Sequence, residues 1–459
     1  MDIKNLINKS VHIVGINGIG MSALAVYLKN KGVKVSGSDI SENYNTKVLK
    51  KYGIKVVIGH KYSNINGKDI IFFSSAIKNN PEVLRAKKLK IPHYGRSKLL
   101  QIICKNKFVI CVSGSHGKTT TTSLLGHILD KKGLNPIIIS GGIMKNYGQN
   151  IHLTDSEFVV VEADESDGTV FKLRPNYLIY LNLDSEHLDF YKTLKNLQNK
   201  VKSYLEILNK KNTKIFLNGD DNFLKNIKLK NVIKFGFKKN NINNIYNLKL
   251  SHKFLKLDMN SINNKKYLNI SSNLIGAHNA YNVAAVISVL NELGINIKQK
   301  DLLSFKGINR RMNLLGKIKN TSFIDDYAHH PSELEKLFET LKLFPQTNKY
   351  LIIEPHRYSR LNLLYNKYLE VLAKVDNLVV LETYAAGEFF KKGWKNSKDL
   401  VNDLNISKIK KTIYMSDYQE LFDFFDRQIK SKKNSVLVCA GAGTISKELI
   451  NYYETRKYK

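Results

Sequence analysis

The stretch FVICVSGSHGKTTTTSLLGHILDKKG, residues 108–133, decides how the chain is read. Phe108 to Ser113 has the length and the β-branched content of a buried strand. Glycines at 114 and 117 make a turn, and Lys118 and Thr119 open a helix on which Leu124, Leu125, Ile128 and Leu129 form one apolar face before Gly133 ends it. Backbone N–H groups at such a helix start bind phosphate oxygens, a lysine there supplies a point charge to a transferred phosphoryl group, and a threonine hydroxyl can ligate Mg²⁺. The segment reads as a nucleotide phosphate loop. It is shorter than the general G-x-x-x-x-G-K-[ST] pattern, because Val112 stands where the first glycine belongs. A chance Gly-Lys-Thr helix start is the bland alternative.

The same alternation of apolar run, polar or glycine turn and amphipathic segment recurs on both sides. The clearest runs are VHIVG (Val11 to Gly15), FVVVEAD (Phe158 to Asp164), YLIYLNLD (Tyr177 to Asp184), YLIIEPH (Tyr350 to His356), NLVVLETY (Asn377 to Tyr384) and SVLVCAGAG (Ser435 to Gly443). Strand, loop and helix units of this kind make an α/β protein with parallel sheets. Ligands bind at the carboxyl ends of such strands, so the residues after each run matter most.

EADESD places Glu162, Asp164, Glu165 and Asp167 directly after a strand, where mutual repulsion is costly unless a cation neutralises it. Metal bound to ATP is the natural neutraliser. Oxygen ligands suit Mg²⁺ better than imidazole, so Glu162 is the stronger ligand candidate and His187, after the next strand, the weaker. GAHNAYNVAAVISVLNELG starts a helix at about Asn279, with Asn279 and Asn282 three apart on one face, where amides can read an adenine edge. Asparagine is also a common cap, so this signal is weak alone. Arg357 and Arg360, after the run ending in His356, can converge on one carboxylate or phosphate. Adjacent His329 and His330 lack thiols or an i,i+4 partner histidine, which favours substrate contacts over zinc.

The N-terminal VHIVGINGIGMSALAVYLKNKGVKVSGSD is a strand, a glycine turn, a helix and a second strand ending at Asp39, a dinucleotide-type unit with a diphosphate site at the helix start. Its Gly15-x-x-Gly18-x-Gly20 spacing departs from the G-x-G-x-x-G of nicotinamide enzymes and favours another diphosphate, such as a UDP-sugar. A nicotinamide oxidoreductase would leave the phosphate loop unexplained.

A chain of 459 residues calls for two or three domains, and 43% apolar residues suffice to build them. The formal charge of +34 invites a nucleic-acid reading. The excess is almost all lysine, scattered among asparagine and isoleucine, which makes a solvated basic surface rather than a binding stripe. No nucleic acid is expected as partner. Cys104, Cys111 and Cys439 show no metal-type spacing and read as buried thiols in a reducing compartment. With no apolar run long enough to span a bilayer and a polar start, a soluble cytoplasmic protein without membrane insertion is expected. The tract from Lys238 to Lys266 is the most weakly patterned and is expected to hold short exposed strands with long turns.

Taken together, GINGIGMSA, GSDISEN, SSAIKNNPE, GSHGKTTTT, GGIMKNYGQN, EADESD, HNAYNVAA, NRRM, DDYAHHPSE, EPHRYSR, YAAGE and GAGTISK, in that order, resemble the Mur ligase family over nearly the whole chain. The resemblance implies an α/β protein of three domains. These are a Rossmann-like UDP-sugar domain at 1–104, a central P-loop ATPase-type domain with a mixed or parallel sheet at 105–313, and a Rossmann-like domain at 314–459 that closes over ATP and receives the amino acid. It further implies ATP-dependent joining of L-alanine to UDP-N-acetylmuramate in peptidoglycan synthesis, with Mg²⁺, or Mn²⁺ in its place, as cofactor. The alternative within the family adds a preformed peptide to the same sugar, or D-glutamate to its product. A monomer or weak homodimer is expected.

Carried over by resemblance, Gly114, Ser115, His116, Gly117, Lys118, Thr119 and Thr120 belong to the ATP site with Asn279, Asn282, Arg311 and Asp326, and Thr119, Glu162 and His187 are metal ligands. Gly15, Gly18, Gly20, Met21, Ser22, Asp39, Ser75, His187, Tyr327, His329, Arg357 and Arg360 belong to the UDP-sugar site. Lys118, Glu162, His187, Arg357 and Arg360 carry the catalytic role. The chain departs from the family at Asn17, Ser115, Met312, Glu354 and the stretch FFKKGW, where Gly, Thr, Phe, Gln and another sequence are usual. Glu354 is the oddest of these, because it sets a negative charge in the segment assigned to a carboxylate.

Overall fold

The structure, a computed structural model, describes residues 1–77, 79–185, 188–262, 265–407, 412–431 and 433–457. The described residues form two compact units, one of Met1–Tyr246, Asp258–Leu268 and Tyr281–Lys306, the other of Asn247–Leu257, Asn269–Ala280 and Gly307–Lys459. Among the described residues there are three sheets.

The first sheet holds β1 (Ser10–Val14), β2 (Lys34–Asp39), β3 (Lys55–Ile58), β4 (Ile70–Phe73) and β5 (His93–Gly95) in the order β3-β2-β1-β4-β5, all parallel. The order reverses at β1, so the glycine turn that follows it sits where an open parallel sheet leaves a crevice.

The second sheet holds β6 (Phe108–Ser113), β7 (Ile137–Met144), β8 (Gln149–His152), β9 (Phe158–Glu162), β10 (Tyr177–Tyr180), β11 (Lys214–Asn218), β12 (Val232–Gly236), β13 (Asn243–Leu250), β14 (Leu255–Asn260) and β15 (Lys266–Ser272), in the order β15-β14-β13-β12-β11-β10-β6-β9-β7-β8. β6 lies between β10 and β9, parallel to both, which is why FVICV is apolar and the strand is buried from Val109 onward. Val11, Ile13 and Phe72 of the first sheet and Cys111, Val161 and Tyr180 of the second belong to one apolar cluster. Two of the three expected domains therefore share a core.

The third sheet holds β16 (Asn313–Ile318), β17 (Thr321–Asp326), β18 (Asn348–Ile353), β19 (Leu378–Leu381), β20 (Ile413–Met415) and β21 (Ser435–Ala440) in the order β16-β17-β21-β18-β19-β20, with only β16 antiparallel to its neighbour. Alternate residues bury opposite faces. Ile324, Leu351, Val380 and Val438 pack on one side, and Phe323, Ile352, Val379 and Cys439 on the other.

The weakly patterned tract forms β13 and β14 and leads into β15, and it departs from the exposed strands and long turns expected of it: residues of β13 and β14 are buried in alternation, and a tight turn closed by the Ser251 N–H on the Phe254 carbonyl joins them. Among the described residues no helix is long and apolar enough to cross a membrane. Cys111 and Cys439 are fully buried and Cys104 partly so, and all three thiols are free.

Candidate functional site

The phosphate loop leaves β6 at Gly114 and enters a helix at Lys118–Lys131. Both glycines are required by geometry. At Gly114, φ is +127° and an added Cβ would lie 3.0 Å from the backbone of Leu181 and Asn182. At Gly117, φ is +83° and the Cβ would lie 2.5 Å from Asn282 Oδ1. Close backbone approach and a left-handed turn are what glycine alone permits cheaply. Asn182 braces the loop, its carbonyl accepting from the Ser115 N–H at 3.0 Å and its side-chain oxygen from the His116 N–H at 2.7 Å. Asp184 completes the brace, donating its N–H to Ser115 Oγ at 2.8 Å and meeting His116 Nε2 at 3.1 Å.

Lys118 is buried at 8% exposure, with its ammonium donating to the Gly114 and Ser115 carbonyls at 2.5 and 3.0 Å. Asp164 and Glu165 stand 3.7 and 3.8 Å from the same nitrogen. Burial pushes the fully enclosed Glu165 carboxyl up, and the Lys118 charge opposes it. Thr120 is buried next in the helix.

Thr119 Oγ1 donates to Glu162 Oε1 at 3.1 Å, and the Gly141 N–H donates to Glu162 Oε2 at 2.6 Å. Two residues 43 positions apart thus present hard oxygen donors side by side at the mouth of the loop, a donor set that fits Mg²⁺. His187 lies outside the described residues.

Asn279 and Asn282 take different partners. Asn282 Oδ1 accepts from Thr121 Oγ1 at 3.2 Å and faces Gly117, whereas Asn279 Nδ2 donates to the Ile275 carbonyl at 2.7 Å. The helix they share is His278–Glu292, one residue earlier than expected.

In the first sheet, Gly15 turns at φ +76°, and the N–H groups of Gly15 and Ile16 donate to the Ser38 carbonyl at 2.8 and 3.1 Å. Asp39 Oδ2 accepts from the Asn17 N–H at 2.8 Å and pins the turn to the end of β2. Gly18 is the N-cap of the helix Ile19–Asn30. Met21 and Ser22 are buried in its first turn, Ser22 Oγ donating to the Ile19 carbonyl at 3.0 Å. Ser75 is exposed in the turn after β4, on the same sheet edge.

Behind that edge lies a buried polar group that the sequence did not disclose. Glu82 is fully enclosed and accepts from Ser38 Oγ at 2.6 Å and Asn64 Nδ2 at 2.5 Å, with His12 and His60 each 3.4 Å away. Burial alone would raise its carboxyl, but hydrogen bonds from His12, Ser38 and Asn64 overcome it and hold it down at about 2.

The second unit gathers the remaining candidates at the carboxyl ends of β17 and β18. Asp326 is buried, accepting from the Met312 N–H at 2.7 Å and the Ala328 N–H at 2.8 Å, and burial raises its carboxyl. Arg310 and Arg311 lie 4.7 and 5.0 Å from the Tyr327 ring centre. His329 packs edge-on against Tyr327 and His356, and its Nδ1 is 3.0 Å from the Tyr327 carbonyl. Burial pushes His329 down to about 4 despite Glu333 nearby, and burial with His329 and Arg360 pushes His356 down to about 3. Arg360 Nη1 lies 3.0 Å from His356 Nδ1, and Tyr384 stacks on His356 with centroids 5.5 Å apart. His330 caps the helix Pro331–Leu341 through Ser332.

Two acids here needed the structure. Glu388 of YAAGE accepts from Arg357 Nε at 2.6 Å and from Ser359 N–H and Oγ at 2.9 and 2.6 Å. It fixes Arg357, whose φ of +73° is unusual for a side chain of that size. Glu354 is placed otherwise than the sequence suggested. Its carboxyl is buried against Tyr418 Oη, Thr444 Oγ1 at 3.2 Å and the Ile445 N–H at 3.4 Å, at the start of the helix Ile445–Arg456. A negative group suits that position, because helix N-termini carry partial positive charge.

Comparison with known proteins matches these parts to one family. The Mur ligase family catalytic domain matches residues 10–108, the Mur ligase middle domain 112–290, and the Mur ligase glutamate ligase domain 310–443. The UDP-N-acetylmuramate--L-alanine ligase of Aquifex aeolicus is 36% identical over 96% of this chain and 96% of its own length. That of Pelagibacter ubique is 38% identical over 95% of this chain and 96% of its own. The chain belongs to the Mur ligase family. It is an ATP-dependent ligase. Among solved structures, the UDP-N-acetylmuramate-alanine ligase of Thermotoga maritima superposes with a TM-score of 0.83 at 27% identity, over 98% of this chain and 100% of that one. The three Mur ligase matches fall one to each sheet of the fold.

Proposed function

We propose that this Mur ligase joins L-alanine to the carboxyl group of UDP-N-acetylmuramate, using ATP, in the cytoplasmic stage of peptidoglycan synthesis. The observation that carries the reading is near-complete alignment, at 36–38% identity, with relatives named for that reaction. We assign residues 1–104 to the UDP-sugar, 105–313 to ATP and 314–459 to the amino acid.

The chemistry follows from the groups at hand. A carboxylate oxygen of the sugar acid attacks the γ-phosphorus, the bond to ADP breaks, and an acyl phosphate forms. The amine of alanine then attacks the acyl carbon, loses a proton, and expels inorganic phosphate. The protein needs no nucleophile of its own, so rate comes from positioning and charge neutralisation. Lys118 and the amides of the loop hold the phosphates, a role supported by the buried ammonium over the loop carbonyls. Thr119 and Glu162, with His187, would hold Mg²⁺, which offsets charge on the β- and γ-phosphates. Asn282, bonded to Thr121 of the helix that the loop opens, completes the nucleotide contacts within the first unit. Arg357 and Arg360, with Tyr327 and a neutral His329, take the acid end of the substrate. The chain acts as a monomer or weak homodimer in this reading.

A substrate panel tests the assignment against its relatives in the family. With ATP, Mg²⁺ and UDP-N-acetylmuramate, L-alanine gives a new amide by mass, and neither D-glutamate nor a preformed tripeptide does. Preference for the tripeptide would reassign the chain to the peptide-adding branch.

A further inference from the structure

The stretch FFKKGW, where the chain departs from its family, forms the outer part of the loop between β19 and the helix Ser397–Ser407. The loop is tied down along its length. Tyr384 stacks on His356, Glu388 holds Arg357 and the Ser359 N–H, and Thr383 Oγ1 meets Ser397 Oγ at 2.7 Å across the two ends. Farther out, the Trp394 N–H closes a turn on the Lys391 carbonyl at 3.0 Å, and the Lys395 N–H reaches Asn362 Oδ1 at 3.4 Å.

What this frame presents to water is apolar. Phe389 is 89% exposed, more than any other large apolar side chain among the described residues. Phe390, itself exposed, leans edge-on against Tyr358 with ring centres 5.3 Å apart. Leu363, also exposed, ends the helix Tyr358–Leu363 next to the Asn362 on which the loop rests. Single exposed apolar side chains are ordinary, but a phenyl group held out on a fixed loop beside further apolar groups marks a contact surface.

The charge around these rings has one sign. Residues 389–398, FFKKGWKNSK, hold four lysines, two phenylalanines, the chain's one tryptophan and no acid. Lys391 and Lys392 are exposed, and Lys391 Nζ lies 5.2 Å from the Trp394 ring centre. Aromatic rings flanked by lysines suit the boundary of an anionic bilayer, where the rings enter the headgroup layer and the ammonium groups meet lipid phosphates. A single-stranded nucleic acid would instead need open ring faces along a groove on which to stack its bases. Here one face of Trp394 is covered by Lys391, and Phe390 is turned against Tyr358.

We propose that this loop docks the ligase on an anionic phospholipid surface, with Phe389 and Phe390 entering the interface and Lys391 and Lys392 pairing with the headgroups. Two weak signals acting together give a reversible, peripheral attachment that neither gives alone.

Trp394 makes the test local, because its emission reports this loop and no other part of the chain. The full chain is mixed with vesicles of phosphatidylglycerol and phosphatidylcholine in equal parts, or of phosphatidylcholine alone, and followed by sedimentation and tryptophan fluorescence. Co-sedimentation with the anionic vesicles and a blue-shifted emission are expected, both weakened by salt. Phe389→Ser, which leaves every charge in place, should lower the partition coefficient about 10-fold, and Lys391→Gln combined with Lys392→Gln should lower it by about as much. Ligase activity without vesicles should be unchanged in both and reports an intact fold. Absence of binding to the anionic vesicles overturns the proposal. Sedimentation without an emission shift, or equally strong in Phe389→Ser, would show attachment through general basic charge and overturns it too. An emission shift produced by single-stranded RNA or by the ligase's own substrates, and not by vesicles, would give the loop to those partners instead.

Discussion

Lys118 is bonded to its own loop carbonyls and faces two carboxylates, so its charge is aimed by the fold before any nucleotide contributes. Removing it in Lys118→Ala is expected to lower turnover by roughly 10³ to 10⁵, as for other phosphoryl-stabilising cations, in steady-state amide formation. Ordinary turnover in that variant would overturn its role. His329 makes a pH prediction. Held at about 4 in the fold against an ordinary 6.5, it stays neutral where the unfolded chain takes up a proton. Its contribution to stability is thus complete above pH 6.5 and lost as pH falls through about 4. The melting temperature should drop across that window, and His329→Gln should flatten part of the drop. An unchanged profile in that variant would show the histidine to be unshifted. Lys118, Thr119 and Glu162 were legible in the sequence because each follows a strand that announces itself. Glu82 and Glu354 were not, since each acquires its meaning from a partner far along the chain that only folding supplies.

At the scale of the element, the strand, glycine turn and helix of residues 108–131 act as one part. Gly117→Ala forces an L-residue to φ +83° and drives a methyl onto Asn282 Oδ1. A stability loss of about 1–3 kcal/mol and a raised KM for ATP are expected, read by denaturant unfolding and initial rates. Leu125, fully buried on the helix face, should cost about 2–5 kcal/mol as Leu125→Ala with little change in KM. A variant that moved KM and spared stability would misplace the helix face. The apolar strands could be read because parallel strands buried on both sides leave continuous runs. β14 is different, since only Leu255, Leu257 and Met259 are buried and lysine, aspartate and asparagine alternate with them. Half-buried strands among lysine and asparagine lose their contrast with turns, which is why that tract read as weakly patterned.

At the scale of the whole molecule, a formal charge of +34 is spread over a chain whose chemistry centres on phosphates and carboxylates. ATP turnover should rise with UDP-N-acetylmuramate and L-alanine together and be indifferent to DNA or RNA, as measured by phosphate release at moderate salt. Stimulation by nucleic acid alone would restore the reading that the lysine distribution argues against. The sequence resemblance gave three domains, and the fold has a sheet for each, but the shared core of the first two sheets depends on side chains such as Phe72 and Tyr180 that carry no domain label.

In this mechanism ATP activates the sugar acid as an acyl phosphate. It is tested most directly by labelling the carboxylate of UDP-N-acetylmuramate with ¹⁸O and letting the chain form the amide with L-alanine. Each amide formed is expected to send one labelled oxygen into inorganic phosphate. Amide formation with unlabelled phosphate would contradict it.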